Sequence, residues 1–303
     1  MDSRRFSWGK ALALAAPVTA AAVAWRYLVR SFRPPNSELA ALHGLDLVRG
    51  PKRVLAITAH PDDLEIVAGG TLRLMSLAGS TIDVAVLTDG GRQDNARHDL
   101  GHVRQFEQDH AAAILGYARV HHLGLKDLSL SRIPELEDKI AAVWSRVKPQ
   151  VALAFDPSFP EPYMVHPDHL AGGRAALNLA RGDLGRDVLV FFYGTRETRV
   201  VVDITPVMHD KVQAVLCHRS QLRAPAVLYG LAVRVYGRLR GRPAQMPYAE
   251  GFRALELPQL TQRAMRARWP EARQAAQVQE LELGSHGKTA RPAPAPPTCR
   301  NQD

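Results

Sequence analysis

Cysteine is scarce in this sequence of 303 residues. Its two cysteines, Cys217 and Cys299, lie far apart, and no C-x-x-C pair occurs. The sequence therefore offers neither a disulfide framework nor a thiolate metal site. The phosphate-binding patterns G-x-G-x-x-G and G-x-x-x-x-G-K-[ST] are also absent, which argues against a dinucleotide-binding or nucleoside-triphosphate-binding loop.

The central part of the sequence also lacks an excess of basic residues. The net charge is +9, but six basic residues and one acidic residue fall within 1–33, and three basic residues and one acidic residue fall within 284–303. The region between these ends is close to neutral. Nucleic-acid-binding domains concentrate lysine and arginine on the surface of the folded domain. We therefore expect no nucleic-acid partner.

Long uncharged runs are missing except near the N-terminus, where residues 11–25 contain no charged side chain. This run is short for a transmembrane helix and is typical of a signal-peptide core. If Arg26 snorkels, the run extends to Val29 and approaches the ~20 residues needed to span a bilayer. We predict that residues 1–35 are an N-terminal hydrophobic anchor, with a removed signal segment as the alternative, and that the protein is membrane-associated. An exported or soluble protein is the alternative.

Beyond residue 35, apolar β-rich runs alternate with amphipathic segments. This alternation predicts an α/β, Rossmann-like fold with a mostly parallel sheet and helices on both faces. One domain is expected over 36–283, followed by a disordered Pro/Ala-rich tail over 284–303. The predicted strands are 53–59, 81–88, 118–123, 151–156, 187–194 and 199–205, and the predicted helices are 69–79, 102–116, 135–148, 168–181 and 206–217.

Polar clusters follow the first four predicted strands at the points where they end. These clusters are "HPDDLE" (60–65), "DGGRQDN" (89–95), "GLKDLS" (124–129) and "DPSFPEPYMVHPDH" (156–169). Ligands of such sheets bind beyond the carboxyl ends of the strands. We therefore expect the four clusters to form one active site.

The tripeptide His-Pro-Asp occurs twice, at 60–62 followed by Asp63 and at 166–168 followed by His169. Each copy offers two potential metal ligands three residues apart. Imidazole and carboxylate ligands suit zinc, iron or manganese, and a catalytic zinc needs three protein ligands and an open position. The remaining groups are then free for acid–base work. One such tripeptide can be an ordinary turn whose aspartate caps a helix, but two copies at strand ends favour a metal site.

With these motifs the sequence resembles the LmbE/PIG-L family of zinc-dependent N-acetylglucosamine deacetylases. The similar segments run in order from about residue 51 to 253. They include "AHPDDLE" (59–65), "LTDGG" (87–91), "LGLKD" (123–127), "HPDH" (166–169), "VDIT" (202–205) and "YAEGF" (248–252). "AHPDDLE" is most similar to the branch that includes bacillithiol-pathway deacetylases. The resemblance implies an LmbE-like fold.

The resemblance also implies one divalent metal ion, zinc, held by His60, Asp63 and His169. Asp62 matches the general base of the family, which takes a proton from the attacking water. A supporting role is expected for Glu65.

Other positions match the family's substrate-side residues. His166 matches the residue that stabilises the oxyanion, and Asp168 is implied to orient His166 or His169. Arg104 and Asp127 match positions that hold sugar hydroxyls in relatives. One departure is the pair Met164-Val165, which stands where relatives often carry a polar residue. This difference bears on which substrate is bound more than on which reaction is catalysed.

These features predict a hydrolase that removes an N-acetyl or other N-acyl group from an N-acetylglucosamine-type conjugate. The expected partner is a small amino-sugar conjugate, with a lipid-linked one among the candidates. The alternatives are an amidase for another N-acyl conjugate and a non-catalytic carbohydrate- or lipid-binding relative. The last alternative predicts a damaged ligand set, whereas His60, Asp62, Asp63 and His169 are all present.

Overall fold

A seven-stranded sheet forms the centre of the protein. The computed structural model describes residues 37–91, 100–222 and 224–255. Strand order in the sheet is β3-β2-β1-β4-β5-β7-β6. The strands are β1 (Arg53–Thr58), β2 (Thr81–Thr88), β3 (Arg119–Leu125), β4 (Val151–Phe155), β5 (Leu189–Tyr193), β6 (Val200–Asp203) and β7 (Ala249–Ala254).

Strands β1 to β5 are all parallel, whereas β7 runs antiparallel to both β5 and β6. The predicted α/β fold with a mostly parallel sheet is confirmed. Because β1 and β4 are adjacent in the middle of the sheet, the loops that leave their carboxyl ends start side by side. Both His-Pro-Asp motifs belong to these two loops, which explains how two sequence segments far apart can meet.

Eight α-helices accompany the sheet in the described part of the chain. They are α1 (Ser37–Val48), α2 (Asp63–Val67), α3 (Gly69–Leu77), α4 (Leu100–Leu115), α5 (Leu136–Val147), α6 (Pro167–Arg181), α7 (Met208–Val215) and α8 (Ala226–Gly241).

The core lies on both faces of the sheet, because alternate strand residues point to opposite sides. On one face, Val54, Val84 and Leu153 pack with buried residues of α1, α2, α3, α7 and α8. On the other face, Leu55 and Ala85 pack with buried residues of α5 and α6. Helix α4 packs on α7 through Ala111, Leu115 and Ala214. Strands buried on both faces are near-continuous apolar runs, and β1 and β2 follow this pattern except for the buried Asp83 in β2.

Four of the described α-helices and strands were not predicted as such: α1, α2, α8 and β7. Strand β7 contains Glu250, Gly251 and Arg253, residue types that single-sequence propensity assigns to loops. Its charged side chains are paired within the fold, Glu250 with Lys211 and Arg253 with Asp156. Tertiary contacts therefore make a strand of a segment whose local preference is for a loop.

The prediction of a membrane-associated protein is wrong. Among the residues that the structure describes, no helix is long and apolar enough to cross a membrane. The longest of them, α4 and α8, have 16 residues each, which at ~1.5 Å per residue falls short of a ~30 Å hydrocarbon core. The segment 1–35, on which that prediction was based, and the tail 284–303 both lie outside the described residues.

Candidate metal centre

The predicted site residues meet at the carboxyl edge of the sheet. His60, Asp62 and Asp63 follow β1, and Asp127 follows β3. The second His-Pro-Asp motif opens α6, which begins at Pro167 after the loop from β4. The structure thus brings the polar ends of β1, β3 and β4 together, as the sheet topology requires.

One carboxylate and two imidazoles converge on a single point. His60 Nδ1 lies 3.3 Å from Asp63 Oδ2, and His169 Nε2 lies 3.3 Å from Asp63 Oδ1. The two imidazole nitrogens are 3.2 Å apart. Ligands of a tetrahedral zinc, bound at about 2.0–2.2 Å, are separated by roughly 3.3–3.6 Å. The spacing and the donor types of this triad therefore fit a small divalent cation.

Hydrogen bonds orient two of these candidate ligands, Asp63 and His169. The backbone N–H of His60 and the hydroxyl of Thr58 donate to Asp63 Oδ2 at 2.8 and 3.1 Å. His169 Nδ1 lies 2.9 Å from the carbonyl oxygen of Met164, and only a protonated Nδ1 can donate to a carbonyl. His169 Nε2 is consequently the nitrogen with a free lone pair, directed at the other two ligands.

The other nitrogen of His60 faces two further carboxylates. His60 Nε2 lies 3.2 Å from Asp127 Oδ1 and 3.5 Å from Asp168 Oδ2, although the angles leave it without a regular hydrogen bond. Two further groups of potential ligands share His60, one with His166 and His169 and one with Asp127 and Asp168, and neither includes Asp63. We favour a metal site at His60 Nδ1, because the carboxylates beside Nε2 stabilise a proton on that nitrogen and leave the lone pair of Nδ1 free to bind a cation.

Asp168 is fully buried and binds the loop after β3. Its carboxylate accepts from the backbone N–H groups of Leu128 at 2.7 Å and Leu130 at 3.0 Å. The prediction had this carboxylate orienting His166 or His169; the structure places it against His60. Asp168 thereby ties together the loops that follow β1, β3 and β4.

The charges of His60, Asp63 and His169 depend on one another. Burial lowers the pKa of His60, but Asp63, with Asp127 and Asp168, outweighs burial and raises it to about 12. Burial raises the pKa of Asp63, yet His169 and His60 hold it well below its ordinary value. The carboxylates therefore concentrate negative charge where a cation can replace the proton that the imidazoles would otherwise bind.

Asp62 lies next to the ligands and is not one of the converging groups. Its carboxylate Oδ1 is 3.3 Å from Arg104 Nη2, and about a fifth of its side chain is exposed. Burial raises its pKa, Arg104 opposes the rise and Asp63 adds to it, with a net pKa of about 6. Such a carboxylate is mostly ionised at neutral pH and accepts a proton more readily than an ordinary aspartate.

The ring of His166 lies 4.8 Å from that of His60 and is nearly perpendicular to it. The backbone N–H of Asp168 donates to His166 Nδ1 at 3.3 Å. Nδ1 is therefore the unprotonated nitrogen, and a neutral His166 carries its proton on Nε2. Burial, followed by His60 and His169, lowers the pKa of His166, so that this neutral donor form predominates at neutral pH.

Arg104 is buried against the turn that carries Asp62. Its guanidinium donates to the carbonyl oxygens of Pro61 and, at 2.7 Å, of Gly90. Its Nε is buried without a hydrogen-bond partner among the described residues. Arg104 therefore holds the Pro61-Asp62 turn and still has one donor to offer.

Comparisons with known proteins identify the family of this chain. The family model PIG-L, described as GlcNAc-PI de-N-acetylase, matches residues 55–180. A diacetylchitobiose deacetylase from Thermococcus kodakarensis is 33% identical over 222 residues, which are 67% of this chain and 82% of that protein. The chain belongs to the PIG-L family. The resemblance inferred from the two His-Pro-Asp motifs is thus confirmed.

Further PIG-L relatives support the assignment. A probable N-acetyl-α-D-glucosaminyl L-malate deacetylase from Bacillus cereus is 30% identical over 191 residues, covering 57% of this chain and 85% of that protein. Among solved structures, the N,N'-diacetylchitobiose deacetylase from Pyrococcus horikoshii superposes with a TM-score of 0.61 at 26% identity, covering 69% of this chain and 88% of that chain. The similarity thus covers most of each relative.

One residue of this PIG-L site, Gln108, was not predicted from the motifs, although its side chain contacts Asp62 and Glu65. Gln108 lies one helical turn after Arg104 on α4, and residues four apart share a helix face. That spacing was the available signal, because Arg104 had already been singled out.

Proposed function

We propose that this protein is a zinc-dependent deacetylase that hydrolyses the N-acetyl group of an N-acetylglucosamine-type conjugate. The observation that carries the proposal is the convergence of His60, Asp63 and His169 at 3.2–3.3 Å beside the carboxylate of Asp62. The relatives supply the substrate class, since they act on diacetylchitobiose and on an N-acetylglucosaminyl malate.

His60, Asp63 and His169 would hold the zinc, because two imidazole nitrogens and one carboxylate are a ligand set that zinc prefers. When bound, the ion polarises the amide carbonyl and lowers the pKa of water.

Asp62 is the general base in this proposal. Its carboxylate takes a proton from the water that attacks the amide carbon and delivers that proton to the amide nitrogen. The C–N bond then breaks, and the products are acetate and the free amine. A pKa of about 6 is suited to both halves of this transfer, because the ionised form accepts a proton and the protonated form gives it up near neutral pH.

The remaining residues act on the substrate. His166 presents its protonated Nε2 as a donor toward the oxyanion that forms from the carbonyl oxygen. Asp127, whose Oδ1 is buried without a regular hydrogen bond, and the unpaired Nε of Arg104 are available for sugar hydroxyls. A sugar that satisfies these buried polar atoms binds better than one that lacks the hydroxyls.

The test uses the full-length protein loaded with zinc. Acetate release is measured with diacetylchitobiose, N-acetylglucosaminyl malate, free N-acetylglucosamine and non-sugar acetamides, and the bound metal is counted. We expect release from at least one sugar conjugate and an Asp62→Asn variant that retains zinc but loses about 100-fold or more in kcat.

The matched control is Asp210→Asn, which makes the same change of side chain. Asp210 of α7 forms an ion pair with Arg73 of α3. The Asp210→Asn variant should leave kcat unchanged. Hydrolysis of non-sugar amides alone would assign the protein to another class of amidase. Full activity of Asp62→Asn would contradict the proposed mechanism.

A further inference from the structure

The turn that carries Asp62 has an unfavourable backbone conformation. Asp62 has φ 101° and ψ −26°, in the left-handed region that favours glycine. A residue with a Cβ persists there only where the surrounding structure determines its conformation. The contacts that hold this turn therefore decide where the carboxylate of Asp62 points.

Helix α4 supplies those contacts from two residues one turn apart. Arg104 donates to the carbonyl oxygen of Pro61, which is the peptide just before Asp62. Gln108 accepts, through Oε1, a hydrogen bond of 3.2 Å from the backbone N–H of Asp62. The two side chains thus bind the carbonyl oxygen and the N–H of one peptide unit, and they fix its plane.

A buried carboxylate determines the orientation of the Gln108 amide. Gln108 Nε2 donates to Glu65 Oε1 at 3.0 Å, and both side chains are fully buried. An ionised carboxylate accepts hydrogen bonds and cannot donate. Glu65 therefore forces the NH₂ group of Gln108 toward itself, and this leaves Oε1 as the atom that faces the N–H of Asp62.

Glu65 is itself fixed by two partners from other elements. The hydroxyl of Tyr117 donates to Glu65 Oε1 at 3.4 Å, and His218 Nε2 lies 3.4 Å from Glu65 Oε2. His218 is 2% exposed and follows α7. The chain of contacts thus runs from His218, just after α7, through Glu65 and Gln108 to the backbone of Asp62.

We propose that Gln108 is a positioning residue: its amide, oriented by Glu65, fixes the peptide of Asp62 and thereby the direction of the Asp62 carboxylate. The proposal rests on the proposed function, in which this carboxylate is the base. Gln108 is fully buried and reaches Asp62 through the backbone, and within the described part of the chain it forms no hydrogen bond to His60, Asp63 or His169. Its loss should consequently change kcat and leave both KM and metal content nearly unaltered.

The first variant is Gln108→Met, which keeps the length of the side chain and removes both hydrogen bonds. We expect kcat to fall about 10- to 100-fold, since displacement of a catalytic group by about 1 Å has effects of that size. KM should stay within about twofold, and one zinc should remain bound. Ser76→Ala is the control, because it removes a 3.0 Å hydrogen bond to Gly116 at the far end of α4 and should keep full activity.

A reciprocal exchange separates positioning from a loss of stability. Gln108→Glu alone places two carboxylates face to face, so kcat should fall. Adding Glu65→Gln restores one donor and one acceptor in the reverse order, because the carboxylate introduced at position 108 can accept from both the Asp62 N–H and the new amide. The double variant should therefore recover kcat to within about threefold of the unsubstituted protein.

The outcomes are distinguishable. A Gln108→Met variant with kcat within threefold of the unsubstituted protein overturns the proposal. So does a double variant that recovers its melting temperature and zinc but not its kcat. If the unsubstituted protein hydrolyses none of the amides, the proposed function fails. The crystal structure of Gln108→Met then tests positioning, which predicts that Asp62 leaves its positive φ and which an unchanged φ overturns.

Discussion

Replacing Glu250 by glutamine tests how the elements behind the Asp62 turn are held together. Glu250 of β7 and Lys211 of α7 are fully buried and form an ion pair. Glu250 also accepts from the backbone N–H groups of Gly70 at 2.9 Å and Thr71 at 2.7 Å, in the first turn of α3. Lys211 donates in addition to the carbonyl oxygen of Ile66 at 2.7 Å.

The expected cost is asymmetric between the two partners. Glu250→Gln leaves a buried ammonium without a counter-charge, and removing one partner of a buried pair costs about 3–5 kcal/mol. That is a large part of a typical unfolding free energy of about 5–15 kcal/mol. Lys211→Met leaves a carboxylate that keeps two backbone N–H bonds at a helix N-terminus, where negative charge is stabilised, and we expect a cost of roughly 2 kcal/mol for it.

Urea unfolding of the zinc-loaded protein, followed by circular dichroism, measures these costs. The double variant Lys211→Met/Glu250→Gln should lose less than Glu250→Gln alone, because the unpaired charge is gone. Asp210→Asn is the control, since its pair with Arg73 is partly exposed and should be worth less than about 1 kcal/mol. The reasoning is refuted if Glu250→Gln costs under about 1 kcal/mol, or if Lys211→Met costs more than Glu250→Gln.

Three further predictions concern the site and the loop beside it. Gly90→Ala should lower kcat about tenfold or more, because the new Cβ would lie 2.4 Å from Arg104 Nη1 and displace that side chain. Gly124→Ala is the control, since Gly124 has the same φ of +63° and a Cβ there would meet nothing within 4 Å. The difference between the two kcat values measures the effect of displacing Arg104. Burial raises the pKa of Asp156, but its hydrogen bonds with Arg253 and Thr195 outweigh burial and lower that pKa from its ordinary value of 3.8. The ionised carboxylate of Asp156 therefore stabilises the fold fully above pH 3.8, and this stabilisation is lost as the pH falls through the lowered pKa. Acid unfolding of Asp156→Asn should therefore depend less on pH in that window than acid unfolding of the unsubstituted protein. Chelation should abolish activity and lower the melting temperature, and zinc should restore both; a His169→Ala variant whose melting temperature still rises with zinc would contradict the assigned ligands.

Much of the fold follows from local pattern. Strands β1, β2 and β4 are apolar runs flanked by turn residues, and each was predicted to within a residue of its end. A strand buried on both faces has no polar alternation, so the run itself marks it. Strand β7 was not predicted in this way, because it contains the charged residues Glu250 and Arg253. Their charges are balanced by Lys211 and Asp156, which are distant in sequence.

The candidate site divides in the same way. The ligand types, their spacing at i and i+3 and their position at strand ends are local properties, and they were enough to predict a metal site and to point to the family. The choice of His60, Asp63 and His169 among the candidate ligands came from the resemblance to that family and stays a prediction. The role of each nitrogen was not local. The proton on His169 Nδ1 depends on the carbonyl oxygen of Met164, and the Nε2 of His60 depends on Asp127 and Asp168.

The sequence by itself therefore determined which family this protein belongs to and which residues are candidates for its chemistry, because each His-Pro-Asp motif places its potential ligands within one turn. Only the tertiary structure decided how that chemistry is aimed. Asp62 and Gln108 are 46 residues apart, and the strained backbone of Asp62 exists only because α4 packs against the turn. Hydrogen bonds between distant segments depend on angles and on which atom faces which, and these are properties of the packed fold that no local pattern encodes.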